Sequence, residues 1–121
     1  VDPDTEMWIA SPRAVVRMFL HALSLPASAW GWHRSLNLPG LVASMRDEMQ
    51  ALRAVGGDAA VALVRHEPDE RVIRLVRTWA ARFDTRRARE MGFDADADFA
   101  SIVRSYVEDN PAAVRLGAAR H

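Results

Sequence analysis

The most regular hydrophobic spacing lies toward the end of the chain. Phe99, Ile102, Val103, Tyr106 and Val107 fall at i, i+3, i+4, i+7 and i+8, the signature of one helix face turned toward a core. Asp96 or Asp98 can cap this helix, and Asn110-Pro111 ends it. A similar pattern, Val15, Val16, Phe19, Leu20 and Leu23, predicts a helix over about 12–24. Ser11 is placed to cap it, Pro12 suits its first position and Pro26 stops it. Ser44 and Asp47 stand in capping-box spacing before a helix that carries Met45, Met49 and Leu52 inward and ends at Gly56-Gly57. Asp58 caps a short Ala/Val helix, Asp69 starts another turn or two, and Asp84 caps a short helix that ends at Gly92. Residues 34–38 (RSLNL) alternate and are closed by Pro39-Gly40, so they read as a strand. Residues 64–67, ended by Pro68, read as a second. Residues 1–10 form an extended lead-in and 27–33 a Trp-bearing loop.

The expected fold class is therefore α+β and mostly helical, with four to five helices and two or three short strands. Two strands make no independent sheet, so they need helix packing or strands from outside the chain. Residues 1–110 make one domain and 111–121 a loosely ordered tail.

Composition narrows the chemistry. The 16 basic and 16 acidic residues cancel, which argues against a nucleic-acid binder that relies on bulk positive charge. There is no Cys, so disulfides, thiolate nucleophiles and Cys-ligated metals are excluded. Every basic residue is Arg and none is Lys, which excludes Schiff bases, a phosphate-loop Lys and a Tyr–Lys hydride-transfer pair. No apolar run approaches the length of a membrane span and no signal-peptide layout is present, so the expected location is cytoplasmic. The chain begins at Val1 rather than Met, which suggests a piece of something larger.

Candidate sites are few. His21, His33, His66 and His121 lack metal-ligand spacing. Asp94, Asp96 and Asp98 alternate but lack the Gly and closing Glu of a calcium loop, so capping is the better reading. No GxGxxG, GxxxxGK or GxSxG motif occurs. Trp8, Trp30, Trp32 and Trp79 read first as packing residues. Arg82, near Trp79, suits a carboxylate or phosphate, with the Trp excluding water; the competing reading pairs it with Asp84. Ser11 and Arg13 stand at a helix start, a natural anion site, where capping is the simpler role for Ser11. Arg71, Arg74 and Arg77 read as a solvated face.

Four strings occur in a telling order: Trp8-Ile9-Ala10-Ser11-Pro12-Arg13, Asn37-Leu38-Pro39-Gly40, Thr78-Trp79-Ala80-Ala81-Arg82-Phe83-Asp84, and Ala88-Arg89-Glu90-Met91-Gly92-Phe93. Together they resemble the C-terminal part of the extended short-chain dehydrogenases/reductases of the NAD-dependent epimerase/dehydratase family, over about residues 7–108. The chain departs from the family pattern at Ala80, where Pro is common. The resemblance implies the substrate-binding domain of a two-domain enzyme. The Rossmann domain, with its NAD loop and Ser/Tyr/Lys set, would lie outside this chain, and Tyr106 is not the catalytic Tyr. It further implies oxidation of a secondary hydroxyl of a small sugar acid, with NAD as hydride acceptor and a homodimer in the full-length form. Substrate-binding residues would be Ser11 for a hydroxyl, Arg82 or Arg13 for the carboxylate, and Trp79 as a wall. Catalytic, cofactor-binding and metal-binding residues are expected to be none in this chain. Two alternatives remain: the substrate domain of a nucleotide-sugar epimerase/dehydratase, and a stand-alone helical protein-binding module.

Overall fold

The computed structural model describes residues 1–114. Its elements run β1 (Glu6–Ile9), α1 (Pro12–Ser24), α2 (Ala27–Trp30), β2 (Leu41–Ser44), α3 (Met45–Val61), α4 (Glu70–Val76), α5 (Arg86–Glu90) and α6 (Phe99–Asp109). Residues 111–114 follow α6 as a turn; the rest of the predicted tail, with His121, lies outside the described residues. The α+β, mostly helical class holds, with six helices and two strands among the described residues. The helix beyond the expected count is α2, a single turn inside the predicted 27–33 loop.

Local chemistry places the helix starts. Ser11 is the N-cap of α1 and accepts the Ala14 N–H, with Pro12 in the first turn. Ser44 and Asp47 form a reciprocal capping box on α3. Asp69 caps α4, accepting the Arg71 and Val72 amides. Of the two candidates before α6, Asp98 is the cap. Asp84 accepts the Arg86 N–H at 3.1 Å, although Thr85 holds the cap position of α5. Gly57 breaks the helical path of α3 at φ 73°, ψ −177°, where the sequence expects one helix to end and Asp58 to begin another.

The strands are elsewhere than expected. Neither 34–38 nor 64–67 is a strand. The sheet is an antiparallel pair of β1 and β2, in register Glu6↔Ser44, Met7↔Ala43, Trp8↔Val42 and Ile9↔Leu41. A strand is defined by its partner, and the two misread segments have none among the described residues; β1 lies in what reads as an extended lead-in. Pro39 is buried, and Gly40 allows the close approach that starts β2. A Cβ at Gly40 would stand 2.7 Å from Trp8 Nε1 and 2.9 Å from the Ile9 carbonyl oxygen.

The core is small. Ala14 and Met18 of α1 meet Ala88 of α5 and Phe93, with Trp30, Leu36, Leu38 and Met91 packed around them. His21 stands edge-on to Phe93 and donates from Nε2 to the Met91 carbonyl at 2.7 Å. α3 and α6 pack on each other. Among the described residues no helix is long and apolar enough to cross a membrane.

Candidate functional site

The four predicted substrate residues fall into two places. Ser11 and Arg13 sit on the first turn of α1. Trp79 and Arg82 sit on the loop between α4 and α5. No hydrogen bond or ion pair joins the two groups among the described residues.

Ser11 is 1% exposed. Its hydroxyl donates to Asp96 Oδ1 at 2.6 Å and accepts the Ala14 N–H at 3.0 Å. Its backbone N–H donates to Asp96 Oδ2 at 2.8 Å. Asp96 is therefore a bidentate acceptor for a residue 85 positions away, while Asp98 does the capping. Arg17 extends the same contact through its Nη2, 3.4 Å from the carbonyls of Asp94 and Ala95. These bonds commit the Ser11 hydroxyl to joining α1 to the loop before α6.

Arg13 reaches the other end of α6. It donates from Nε and Nη2 to Asp109 and from Nη1 to Glu108. Asp109 first and Glu108 second hold the guanidinium more firmly protonated than usual, and Arg13 in turn lowers the Asp109 pKa. The two acids lie in the last turn of α6, so a cation there also complements the helix dipole.

Arg82 is differently placed. Its Nη2 donates to both oxygens of Glu6 on β1, at 2.9 and 3.0 Å, and its side chain is 69% exposed. Nε and Nη1 have no partner among the described residues. The expected alternative partner, Asp84, is taken by Arg86, whose guanidinium lowers the Asp84 pKa to about 2. Beside Arg82, Phe83 meets Trp8 edge to face at 5.6 Å between ring centroids. Both rings line a groove of about 410 Å³ with Val15, Met18, Leu36 and Leu38. Trp79 is exposed on the same loop. Neither Arg82 nor Trp79 lines this groove; Arg82 precedes Phe83 in the chain and offers open guanidinium donors, a chemistry that suits a small anionic group.

Sequence reasoning missed two residues here and misassigned a third. Glu6 was invisible because its partner Arg82 lies 76 positions away, and Asp96, read as a helix cap, instead binds Ser11, 85 positions away. Arg87 was passed over between two other arginines, yet it donates to the carbonyls of Trp30, His33 and Ser35 at 2.6, 2.8 and 3.2 Å. Among the described residues, no three His, Asp or Glu side chains gather as a metal site.

No family profile matches the chain. It is 38% identical over 109 residues to a D-erythronate dehydrogenase from Cupriavidus necator, covering 90% of this chain and 34% of that protein. It is 32% identical over 109 residues to a D-erythronate dehydrogenase from Haemophilus influenzae, covering 89% and 34%. The fold matches the crystal structure of a nucleoside-diphosphate-sugar epimerase from Agrobacterium tumefaciens with a TM-score of 0.89 at 38% identity, over 97% of this chain and 34% of that one. The chain thus spans about a third of the length of each relative, and over almost its whole length it is similar in sequence to D-erythronate dehydrogenases and in fold to a nucleoside-diphosphate-sugar epimerase.

Proposed function

We propose that this chain is the C-terminal, substrate-binding portion of a cytoplasmic, NAD-dependent oxidoreductase of the extended short-chain dehydrogenase/reductase type. The enzyme would oxidise a secondary hydroxyl of a small, D-erythronate-like sugar acid. The observation that carries this reading is the likeness to two D-erythronate dehydrogenases over about nine-tenths of the chain. NAD would supply the hydride acceptor. The residues of this chain do not fit a dinucleotide site, because the sequence has no glycine-rich phosphate loop and no Lys, so its binding and the proton-transfer groups are assigned to a Rossmann portion outside the chain.

The role left to this chain is to hold and orient the sugar acid. Arg82 is the residue best placed to do so: Glu6 occupies one nitrogen, and a substrate carboxylate can take Nε and Nη1 as a pair. Trp79, Trp8 and Phe83 would wall the site and strengthen that ion pair by excluding water. Ser11 and Arg13, committed to Asp96 and to Asp109 and Glu108, would set the position of α1 rather than touch substrate. A homodimer of the full-length protein belongs to the same reading.

The test is NADH formation by the full-length enzyme with four-carbon and related aldonic acids, run beside UDP-sugars. Arg82→Ala is expected to lower kcat/KM for the acid about tenfold or more, mainly through KM. Unchanged kinetics would remove Arg82 from the site. The likeness to the nucleoside-diphosphate-sugar epimerase favours a second reading, a nucleotide-sugar substrate; turnover of UDP-sugars without oxidation of aldonic acids would establish it in place of the first.

A further inference from the structure

β1 turns one face toward the loop between α4 and α5. Side chains alternate along a strand, so Glu6 and Trp8 stand on the same side of β1. They meet consecutive loop residues: Trp8 packs edge to face on Phe83, and Glu6 accepts from Arg82. Trp8 is itself closely held, because Gly40 leaves no room for a Cβ against its indole. The Glu6 carboxylate is thus brought to Arg82 by a strand paired to Ser44 at the same position. Both its oxygens lie on Nη2, at 2.9 and 3.0 Å, and Nε and Nη1 are without a partner among the described residues.

Arg82 and Glu6 together carry no net charge, and nearby Arg86 is matched by Asp84 in the same way. Arg82 can therefore donate hydrogen bonds to one more anion, but its charge is already balanced within the protein. A single carboxylate on the open donors brings the group of charges to −1. A pyrophosphate diester brings it to −2, with a carboxylate beside it. Like charges brought together oppose binding. Two anions on opposite sides of one guanidinium stand about 7 Å apart. Even at the dielectric of water, a unit charge at about that distance weakens the binding of a single like charge about threefold and of a double one about tenfold.

We propose that Glu6 is a specificity-determining residue: its carboxylate on Arg82 makes the site select a singly charged sugar acid and reject a nucleoside diphosphate. This rests on the reading that Arg82 binds the substrate anion, and it names the feature that separates the sugar-acid and nucleotide-sugar alternatives. Glu6 acts through its charge and through Arg82 and does not itself bind substrate.

The experiment is calorimetric binding of two probes, D-erythronate with one negative charge and UDP-glucose with two, to the full-length protein as its source makes it. NAD is present, and NADH formation is measured on the same sample. The parent protein is expected to bind D-erythronate the more tightly. Glu6→Gln keeps an acceptor for Arg82 and removes the charge. It is expected to tighten D-erythronate about threefold and UDP-glucose about tenfold, so the ratio of their Kd values moves about threefold toward UDP-glucose. Glu6→Asp keeps the charge and should hold the parent ratio. A merely structural role would weaken both probes in Glu6→Gln, and that result overturns the proposal. An unchanged ratio also overturns it, and if aldonic acids are still oxidised the functional reading stands. The expected shift without turnover of sugar acids supports the selection and counts only against the reaction assigned. A parent that binds UDP-glucose the more tightly, or a Glu6→Asp that loses selectivity as Glu6→Gln does, overturns the proposal. A parent that binds neither probe overturns it together with the substrate reading.

Discussion

Replacing Asp96 with Ala tests whether the fold depends on the long-range bond at the start of α1. The carboxylate accepts two hydrogen bonds from Ser11, one from the backbone N–H at 2.8 Å and one from the hydroxyl at 2.6 Å, and Ser11 itself is sealed from solvent. A bond to a charged group contributes about 1.5–3 kcal/mol, and a buried donor left without a partner costs about 1–3 kcal/mol. Asp96 is half-exposed, so water entering its place recovers part of the loss. The expected cost is about 2–4 kcal/mol, which at a urea slope near 2 kcal/mol/M moves the unfolding midpoint down by roughly 1–2 M. Asp96→Asn keeps one acceptor oxygen and should cost about half as much. Ser11→Ala removes the cap and the hydroxyl bond but leaves the amide bond to Asp96, so about 1–2 kcal/mol is expected. The Ser11→Ala/Asp96→Asn double-mutant cycle should show a coupling of about 1 kcal/mol. If Asp96→Ala costs less than about 0.5 kcal/mol, a midpoint shift below about 0.25 M, while Ser11→Ala still costs about 1 kcal/mol, the local cap alone matters and the long-range argument fails.

Other outcomes follow from single contacts. Gly92 holds φ +87°, and a Cβ there would meet His21 Nε2 at 3.0 Å, so Gly92→Ala should destabilise by about 1–2 kcal/mol and lower the melting temperature. Arg86 holds the Asp84 carboxyl down at about 2; because the folded value lies below the unfolded one, this stabilisation is complete above about pH 4 and is lost as pH falls through about 2. An NMR titration should find the Asp84 midpoint returning upward in Arg86→Ala. Burial pushes the Glu48 carboxyl upward, with the Asp47 charge adding to it, and its Oε1 is buried without a partner. The charged form is thus disfavoured in the folded state, so Glu48→Gln should raise the urea midpoint at neutral pH, with the gain shrinking as acid protonates Glu48 in the parent protein.

What could be read from the sequence was what is settled within four residues. Ser11 before Pro12, Ser44 with Asp47, Asp69, and Asp98 each act on amides two or three positions on, and a cap needs nothing further away. Strands failed for the opposite reason. Residues 6–9 become β1 because 41–44 lie opposite them, a relation between segments more than thirty positions apart that no local alternation encodes. The candidate site divides the same way. Arg82 could be singled out by type and by its neighbouring Trp79, but its partner could not: nearby Asp84 looked sufficient, and Arg86, closer in geometry to Asp84, removed it from competition and left Glu6. The misread strand at 34–38 is the most informative of these. Its alternation is fulfilled in burial, with Leu36 and Leu38 half-buried and Ser35 and Asn37 outward, yet it joins no ladder among the described residues, because alternation says which side chains turn inward and not which segment lies opposite.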